Sequence, residues 1–256
     1  MKLATFNVNS VRRRVPHIRR FLQRQQPDLV MLQETKCQAE EMPGLEFRDL
    51  GYEMRCIGQK GGRNGVAVLS RLPFAVVAER LPGETEDGQA RYLEVAADGV
   101  RVAGIYLPNG NSGGEDGYAY KLRWMARLRQ VVEARLDEFL PLVVMGDFNV
   151  CPTDADMAPG ALPPTDALVR PESRAAYRAL LHPGMTDAAR ALHPQDAAFT
   201  YWDYGPAFEA NRGLRIDHVL LSPELAERCL TAEVDTAPRA EEQPSDHTPV
   251  LVELTA

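Results

Sequence analysis

The amino-acid sequence predicts an α/β fold in which two β-sheets pack face to face and helices cover the outside. Short apolar segments rich in β-favouring residues recur along the chain, and few amphipathic helical segments separate them. The high number of predicted strands relative to helices favours two stacked sheets over one doubly wound sheet. Two segments also resemble each other, because LATFNV near the start and VVMGDFNV at 143–150 both run apolar residues into Phe-Asn-Val. The similarity predicts two related halves whose polar strand ends share one edge.

The individual elements follow from the same patterns. Strands are predicted at 2–8, 29–32, 65–69, 91–96, 100–107, 142–145, 199–202, 216–222 and 249–254. Helices are predicted at about 15–25, 119–138 and 172–182, where apolar residues recur at helical spacing. A Gly-rich loop at 110–118 and a Pro-rich loop at 151–171 interrupt the regular elements. A looser similarity relates DLVMLQET at 28–35 to DHVLLSPE at 217–224.

Composition limits the class of protein. The chain has 256 residues, of which 45% are apolar and 25% charged, so it can bury a sizeable core and is not disordered. No composition shift marks a boundary, and one domain is predicted over 1–256. The four cysteines are widely spaced and are expected to be reduced thiols.

Charge and hydropathy bear on partners and location. The net charge of −7 argues weakly against nucleic acid, although carboxylates around a cation would contribute to it. The sequence contains no run of about 18 apolar residues, so no membrane span is predicted. At the N-terminus the apolar stretch precedes the basic cluster, whereas a secretory signal has the opposite order, so a cytoplasmic protein is expected.

Short polar side chains stand where the apolar runs end. They are Asn7, Glu34, Asp147, Asn149, Asp217, Asp246 and His247. A single residue of this kind is most often a turn residue or a helix cap. Several of them converge on one site if the two sheets bring their strand ends together, and turns alone do not explain so many.

Carboxylates dominate this set and suggest a metal. Four of its members are carboxylates: Glu34, Asp147, Asp217 and Asp246. Close carboxylates repel unless a cation or a proton lies among them, and oxygen ligands suit Mg²⁺ or Mn²⁺ better than zinc. Magnesium completes its shell with water and phosphate oxygens, which predicts hydrolysis of a phosphate ester. A carboxylate beside a histidine, as Asp217 would be beside His247, favours a protonated imidazole that stabilises the transition state.

Three further segments have two interpretations each. The turn YLPNGN, with Tyr106 and Asn109, is either a plain turn or a source of hydrogen bonds to phosphate. The aromatic residues of FTYW, followed by NRGLRID, fit either a core or a nucleic-acid surface with a small apolar pocket. The arginines between 12 and 24 favour a solvated helix face, while Arg12–Arg14 and Lys60 are also plausible phosphate contacts.

Together these motifs resemble exonuclease III and the related abasic-site endonucleases, from residue 1 to about 254. LQET, GDFN and SDH are shared with the wider endonuclease/exonuclease/phosphatase superfamily, and QETK, NRGLRID and PSDH indicate its DNA-repair branch. The resemblance implies a DNase I-like four-layer α/β sandwich with two mixed sheets. It also implies Mg²⁺-dependent hydrolysis of the DNA backbone 5′ to an abasic site, leaving a 3′-hydroxyl, with 3′–5′ exonuclease and 3′-phosphatase activity. Mn²⁺ is expected to substitute for Mg²⁺.

The resemblance further implies residue roles. The implied metal site contains Asn7, Glu34, Asp147, Asn149 and Asp246. The implied catalytic residues are Tyr106, Asp147, Asn149, Asp217 and His247. The implied substrate-binding residues are Asn109, Tyr201, Leu214 and Ile216. Within these sets Glu34 is the principal metal ligand and Asp147 orients or deprotonates the attacking water. His247, held by Asp217, contacts the scissile phosphate, and an apolar pocket receives the flipped-out abasic sugar.

Several alternatives stay open at this point. The same site would serve a 3′-end-processing exonuclease or phosphatase with weak abasic-site activity. A phosphatase for phosphoinositides or another small phosphoester uses the same chemistry, although NRGLRID and FTYW argue against it. A DNA-binding protein without catalysis is disfavoured because every expected catalytic position is filled. The expected partner is double-stranded DNA with abasic sites or blocked 3′ ends, with no membrane and a monomeric protein.

Overall fold

The computed structural model describes residues 1–83 and 86–255, which build two six-stranded sheets. The strands are β1 (Lys2–Asn7), β2 (Leu29–Gln33), β3 (Glu53–Ile57), β4 (Val66–Ser70), β5 (Phe74–Ala78), β6 (Tyr92–Ala97), β7 (Val100–Tyr106), β8 (Leu142–Asp147), β9 (Thr186–Asp187), β10 (Asp217–Leu221), β11 (Cys229–Val234) and β12 (Val250–Leu254). The α-helices are α1 (Val11–Gln25), α2 (Gly44–Arg48), α3 (Gly114–Asp137), α4 (Pro171–Leu181), α5 (Ala188–Leu192) and α6 (Pro223–Glu227).

The two sheets have matching topologies. Their strand orders are β11-β12-β1-β2-β4-β3 and β5-β6-β7-β8-β10-β9. In the first sheet β1 runs parallel to β2 and antiparallel to β12, and in the second β8 runs parallel to β7 and antiparallel to β10. Strands β1 and β8 are therefore equivalent, as the Phe-Asn-Val similarity predicts. The looser similarity is wrong, because the counterpart of β10 is β12 rather than β2.

Apolar side chains fill the space between the sheets and the space under the helices. Residues of both sheets form the central core, including Leu3, Met31, Val68, Val102, Met145 and Val219. Helix α1 covers the outer face of the first sheet, and α3 and α4 cover that of the second. Gly104 allows the sheets to approach, since a Cβ there would lie 2.6 Å from the sulfur of Met31. The predicted four-layer sandwich of two mixed sheets between helices is confirmed.

Element boundaries differ from the prediction where local signals conflict. Helix α3 starts at Gly114 rather than 119, because its glycine-rich first turn reads as a loop although Glu115 and Asp116 suit a helix N-terminus. Helix α1 likewise starts at Val11 rather than 15. The predicted strand at 199–202 is wrong, because only Tyr201 pairs there, in isolated bridges to Leu214 and His247.

The elements that the sequence did not predict are short or lie at sheet edges. Strands β3 and β11 mix exposed and buried residues, and helices α2, α5 and α6 have five residues each. Such segments carry too few turns or alternations for a clear periodic signal. No helix in 1–83 or 86–255 is long and apolar enough to cross a membrane.

The arginines of α1 mostly face acidic side chains at the surface. Arg19 pairs with Glu46, Arg20 with Glu241 and Arg24 with Asp235. Arg14 instead is largely buried and donates to the carbonyl oxygens of Asn9 and Pro244, at 2.8 Å each. The expected solvated helix face is thus present for the outer arginines.

Candidate active site

The ends of the central strands meet at one edge of the sandwich. Across β7, β8 and β10, Tyr106 stands opposite Asp147 and Asp147 opposite Asp217. One cavity at this edge contains all the predicted site residues except Asn7 and Asp217: Glu34, Tyr106, Asn109, Asp147, Asn149, Tyr201, Leu214, Ile216, Asp246 and His247. Asn7 and Asp217 are buried and hydrogen-bonded to residues of this set. The structure therefore brings all of the predicted side chains together.

Asn7 joins the two halves of the site. Its amide nitrogen donates to Glu34 Oε1 at 2.9 Å and to Asp147 Oδ2 at 3.0 Å. Its Oδ1 accepts from the backbone N–H of Asn9 at 3.1 Å. In this arrangement Asn7 holds the two carboxylates side by side, one from each sheet.

A second chain of contacts runs along the rim of the site through residues that the sequence did not single out. Lys36 Nζ lies 2.8 Å from Glu34 Oε2 and donates to Asn9 Oδ1 at 2.6 Å. Asn9 in turn donates to Asp246 Oδ1 at 2.9 Å. Burial opposes ionisation of Glu34, but the charge of Lys36 and the hydrogen bonds of Lys36 and Asn7 lower the Glu34 pKa. Both residues lie inside recognised motifs, NVNS and QETK, which was the only available signal.

His247 and Asp217 form a buried pair. The Nδ1 atom of His247 lies 2.8 Å from Asp217 Oδ2, and the Thr200 hydroxyl donates to the same oxygen at 2.7 Å. Burial alone would lower the pKa of His247, but the carboxylates of Asp217 and Asp147 raise it to about 10. The imidazole is therefore cationic at neutral pH, and its Nε2 lies 3.8 Å from Asp147 Oδ2. The sequence signal for Thr200 was only its place beside Tyr201.

Asp147 is the most enclosed carboxylate of the cavity. Burial raises its pKa to about 7, His247 opposes the shift, and the charges of Asp217 and Glu34 add to it. One ligand atom each from Glu34, Asp147 and His247 lie within 4.8 Å of one another. Because His247 is protonated, the available ligands there are carboxylate oxygens. A hard divalent cation fits this set, because such ions prefer oxygen ligands and the charge of a cation stabilises carboxylates that lie close together.

Asn149 is held in place from several directions. Its backbone N–H donates to Asp147 Oδ1 at 2.9 Å, and its side-chain amide donates to the carbonyl of Leu107 at 3.0 Å. Its Oδ1 accepts from the Asn109 amide at 2.8 Å. Burial and the charges of Glu34 and Asp147 raise the pKa of Tyr106, so its hydroxyl stays protonated and can donate a hydrogen bond.

The apolar recess beside these polar groups has more walls than the sequence predicted. Tyr201, Leu214 and Ile216 form one wall, and Leu162 and Leu168 of the Pro-rich loop pack against them. Phe199 and Trp202 are buried with Ala158 and Ala207, so the core interpretation is right for these two aromatic residues. The loop residues gave no sequence signal because their contacts with the pocket are made only in the folded chain.

The Pro-rich and Gly-rich loops are hydrogen-bonded to each other beside the cavity. Asn111 donates to both carboxylate oxygens of Asp166 at 3.2 Å and accepts from the N–H of Ala167 at 2.8 Å. Asn111 and Asp166 both line the cavity. The two loops therefore form one continuous wall of the site.

A buried ion network lies next to the wall that Leu214 and Ile216 form. Arg215, between Leu214 and Ile216 in sequence, donates to Asp156 at 2.6 Å and to Asp187 at 2.9 Å. The Nδ1 atom of His218 lies 3.0 Å from the guanidinium of Arg215, and its Nε2 atom lies 3.0 Å from the carbonyl oxygen of Val150. Burial and the charge of Arg215 lower the pKa of His218 to about 4.

This network predicts loss of stability in mild acid. Above pH 6.5 His218 is neutral in both states, but between pH 6.5 and 4 the unfolded chain binds a proton that the folded chain excludes. The free energy of unfolding therefore falls by about 3 kcal/mol over this range through His218 alone. The cost of His218→Gln in urea unfolding should be more than about 1 kcal/mol smaller at pH 4.5 than at pH 7.5. An equal cost at both pH values would contradict the assignment.

Comparison with known proteins agrees with this geometry. Residues 4–247 match the model of the endonuclease/exonuclease/phosphatase family. The chain belongs to this family. It is 36% identical to exodeoxyribonuclease III of Haemophilus influenzae over 99% of this chain and 100% of the relative. The predicted resemblance is confirmed.

Solved structures of other proteins are also similar to this chain. A 3′ phosphatase from Neisseria, solved with a product DNA hairpin, has a TM-score of 0.95 and 36% identity, with full coverage of both chains. An AP endonuclease from Archaeoglobus fulgidus has a TM-score of 0.95 and 34% identity, also with full coverage. Family membership and these relatives identify the chain as a hydrolase of the nuclease type. The family depends on a divalent metal, and the acidic cluster offers a site for one.

Proposed function

We propose that the protein is a Mg²⁺-dependent DNA-repair phosphodiesterase that cleaves duplex DNA on the 5′ side of an abasic site and leaves a 3′-hydroxyl. Removal of 3′ nucleotides and 3′ phosphates belongs to the same proposal. The observation that carries it is the combination, in one cavity, of an acidic and imidazolium centre with a small apolar recess. The names of the relatives, an exodeoxyribonuclease III and an AP endonuclease among them, support it.

Each side chain of the cavity has its own role in the proposed hydrolysis. Asp147 holds the attacking water and takes its proton, because it is the most buried carboxylate and its pKa is raised to about 7. Protonated His247 donates to a phosphate oxygen, with Asp217 keeping it cationic. Tyr106 and Asn109 offer further hydrogen bonds to the phosphate.

The metal has a defined place in the proposal. Glu34 would be the principal ligand, and Asn7, Asp147, Asn149 and Asp246 would complete the set of residues that hold the metal. Bound Mg²⁺, or Mn²⁺ in its place, would neutralise the negative charge that develops on the phosphate during hydrolysis. The carboxylates that would hold it are already aligned by the amide of Asn7.

The recess would select the damaged nucleotide. Tyr201, Leu214 and Ile216 offer apolar contact to a sugar, and Leu162 and Leu168 limit the space beside it. A sugar without its base fits such a recess and is also the least costly nucleotide to extrude from a duplex. Action as a monomer in the cytoplasm is part of the proposal and rests on the sequence alone.

A labelled duplex with one abasic analogue tests the proposal. With Mg²⁺, nicking is expected 5′ of the lesion. No nicking is expected with EDTA, and no cleavage is expected at the same position of an undamaged duplex. Removal of 3′ ends without nicking would overturn the endonuclease assignment and favour 3′-end processing. Preferential hydrolysis of a small phosphoester, with no competition from abasic DNA, would instead indicate a phosphatase.

A further inference from the structure

Lys121, in the second turn of α3, is a buried amine that the proposed chemistry does not use, and burial lowers its pKa to about 7. Its side chain has no exposed surface. The ammonium donates to the carbonyl oxygens of Asn109 at 3.0 Å, Asn149 at 2.7 Å and Ala167 at 3.1 Å. These three carbonyls belong to the loop after β7, the loop after β8 and the Pro-rich loop. One side chain therefore connects all three segments on this side of the cavity.

Burying the amine of Lys121 costs free energy unless these hydrogen bonds are made. Burying a charged amine without partners is strongly unfavourable, and the hydrogen-bond acceptors of Lys121 in the described ranges are all main-chain carbonyls. An ammonium has three donors, and here each of them has an acceptor. The three loops are thus fixed relative to one nitrogen atom, and any displacement of a loop leaves a buried donor unsatisfied.

We propose that Lys121 is a positioning residue for the hydrolysis reaction, and this inference rests on the proposed function. Holding the Asn109 and Asn149 carbonyls fixes two side chains that bond to each other at 2.8 Å. Asn149 is in turn bonded through its N–H to Asp147. The same ammonium holds Ala167, next to Leu168 in the wall of the recess. Lys121 touches no reacting atom and acts through these loops.

Gly110 gives independent geometric support. Its φ of +90° is a conformation that side chains rarely adopt, and an added Cβ would lie 2.7 Å from Cδ of Lys121 and 3.1 Å from Cβ of Ala167. The turn after Asn109 therefore packs directly against the lysine stem and the Pro-rich loop. The three segments meet at Lys121 with no room for a larger residue.

The substitution Lys121→Met tests the proposal, because methionine keeps most of the side-chain volume and removes the ammonium. We expect kcat on abasic duplex to fall about 10- to 100-fold, since small misplacements of reacting groups are costly, with KM within about threefold of the parent. The control is Val132→Ala, a core change about three turns further along the same helix. It should lower Tm and keep kcat within about twofold when assayed well below its Tm.

Amide hydrogen exchange gives a second readout that does not need activity. Lys121→Met should speed exchange in 109–111, 148–151 and 167–169 together, and Val132→Ala should not. If Lys121→Met does not fold, Gly110→Ala disturbs the same contact from the loop side and should show the same kcat loss and exchange pattern. Parent-like kcat and exchange in these variants would overturn the positioning role. A parent without metal-dependent nicking would overturn the proposed function, and the exchange result would still decide the role of Lys121.

Discussion

Asp147→Asn is expected to lower the single-turnover rate of DNA hydrolysis by about 10³-fold and to leave DNA affinity within a few-fold. The change keeps the size and shape of the side chain but removes the charge and the basic oxygen. General base catalysis contributes about 10²- to 10⁴-fold on its own. The amide of Asn7, which donates to Asp147 Oδ2 at 3.0 Å, still finds an oxygen if the new amide is suitably oriented. Folding is therefore preserved while proton transfer is lost.

The measurement separates binding from chemistry. Affinity for abasic duplex is measured by fluorescence anisotropy in EDTA, and the rate by rapid quench with Mg²⁺ and excess enzyme. Asp137→Asn is the matched control, because it makes the same change at an exposed position at the end of α3. The control should behave as the parent does. More than about a tenth of the parent rate in Asp147→Asn would show that another group accepts the proton.

The location of the site was predictable because its signals are local in sequence. A buried strand followed at once by a polar residue, as at β1, β2 and β8, is visible without knowing what packs against it. The fold places such ends together, so Asn7, Glu34 and Asp147 converge although they come from different strands and both sheets. Pattern and topology are sufficient for this part.

The support around the site was not predictable, because its contacts join distant segments. Lys121 lies on an amphipathic helix where a lysine is ordinarily solvated, and only the fold shows that three loops enclose it. Arg215 lies between two pocket residues, yet its partners Asp156 and Asp187 lie 59 and 28 positions away. No spacing rule connects such residues.

The misassigned segment 199–202 has a similar cause. Its aromatic and β-branched composition favours a strand. In the fold Thr200 bonds through its hydroxyl to Asp217, and Phe199 and Trp202 pack into a small separate core. Side-chain contacts with other segments therefore replace the ladder of a regular strand, and the composition alone does not distinguish the two.

Asp217→Asn should change the pH dependence of the reaction as well as its rate. With Asp217 present the pKa of His247 is raised to about 10, so the imidazole is protonated throughout the neutral range. Without that carboxylate, Asp147 is the main charge that opposes the lowering of the His247 pKa by burial. His247 therefore loses its proton at a lower pH. The rate deficit should be about 10²- to 10³-fold above pH 8 and should shrink towards pH 6, where His247 is protonated again.

Thr200→Val separates this electrostatic effect from a loss of support. Valine has nearly the same shape, and the change removes the hydroxyl that bonds to Asp217 Oδ2 but keeps the carboxylate beside His247. Its pH profile, measured with saturating Mg²⁺, should keep the alkaline limit of the parent even if the rate falls. A deficit in Asp217→Asn that is constant from pH 6 to 9 would show that the carboxylate only orients the ring. A deficit that grows with pH would establish that the charge of His247 is what Asp217 provides.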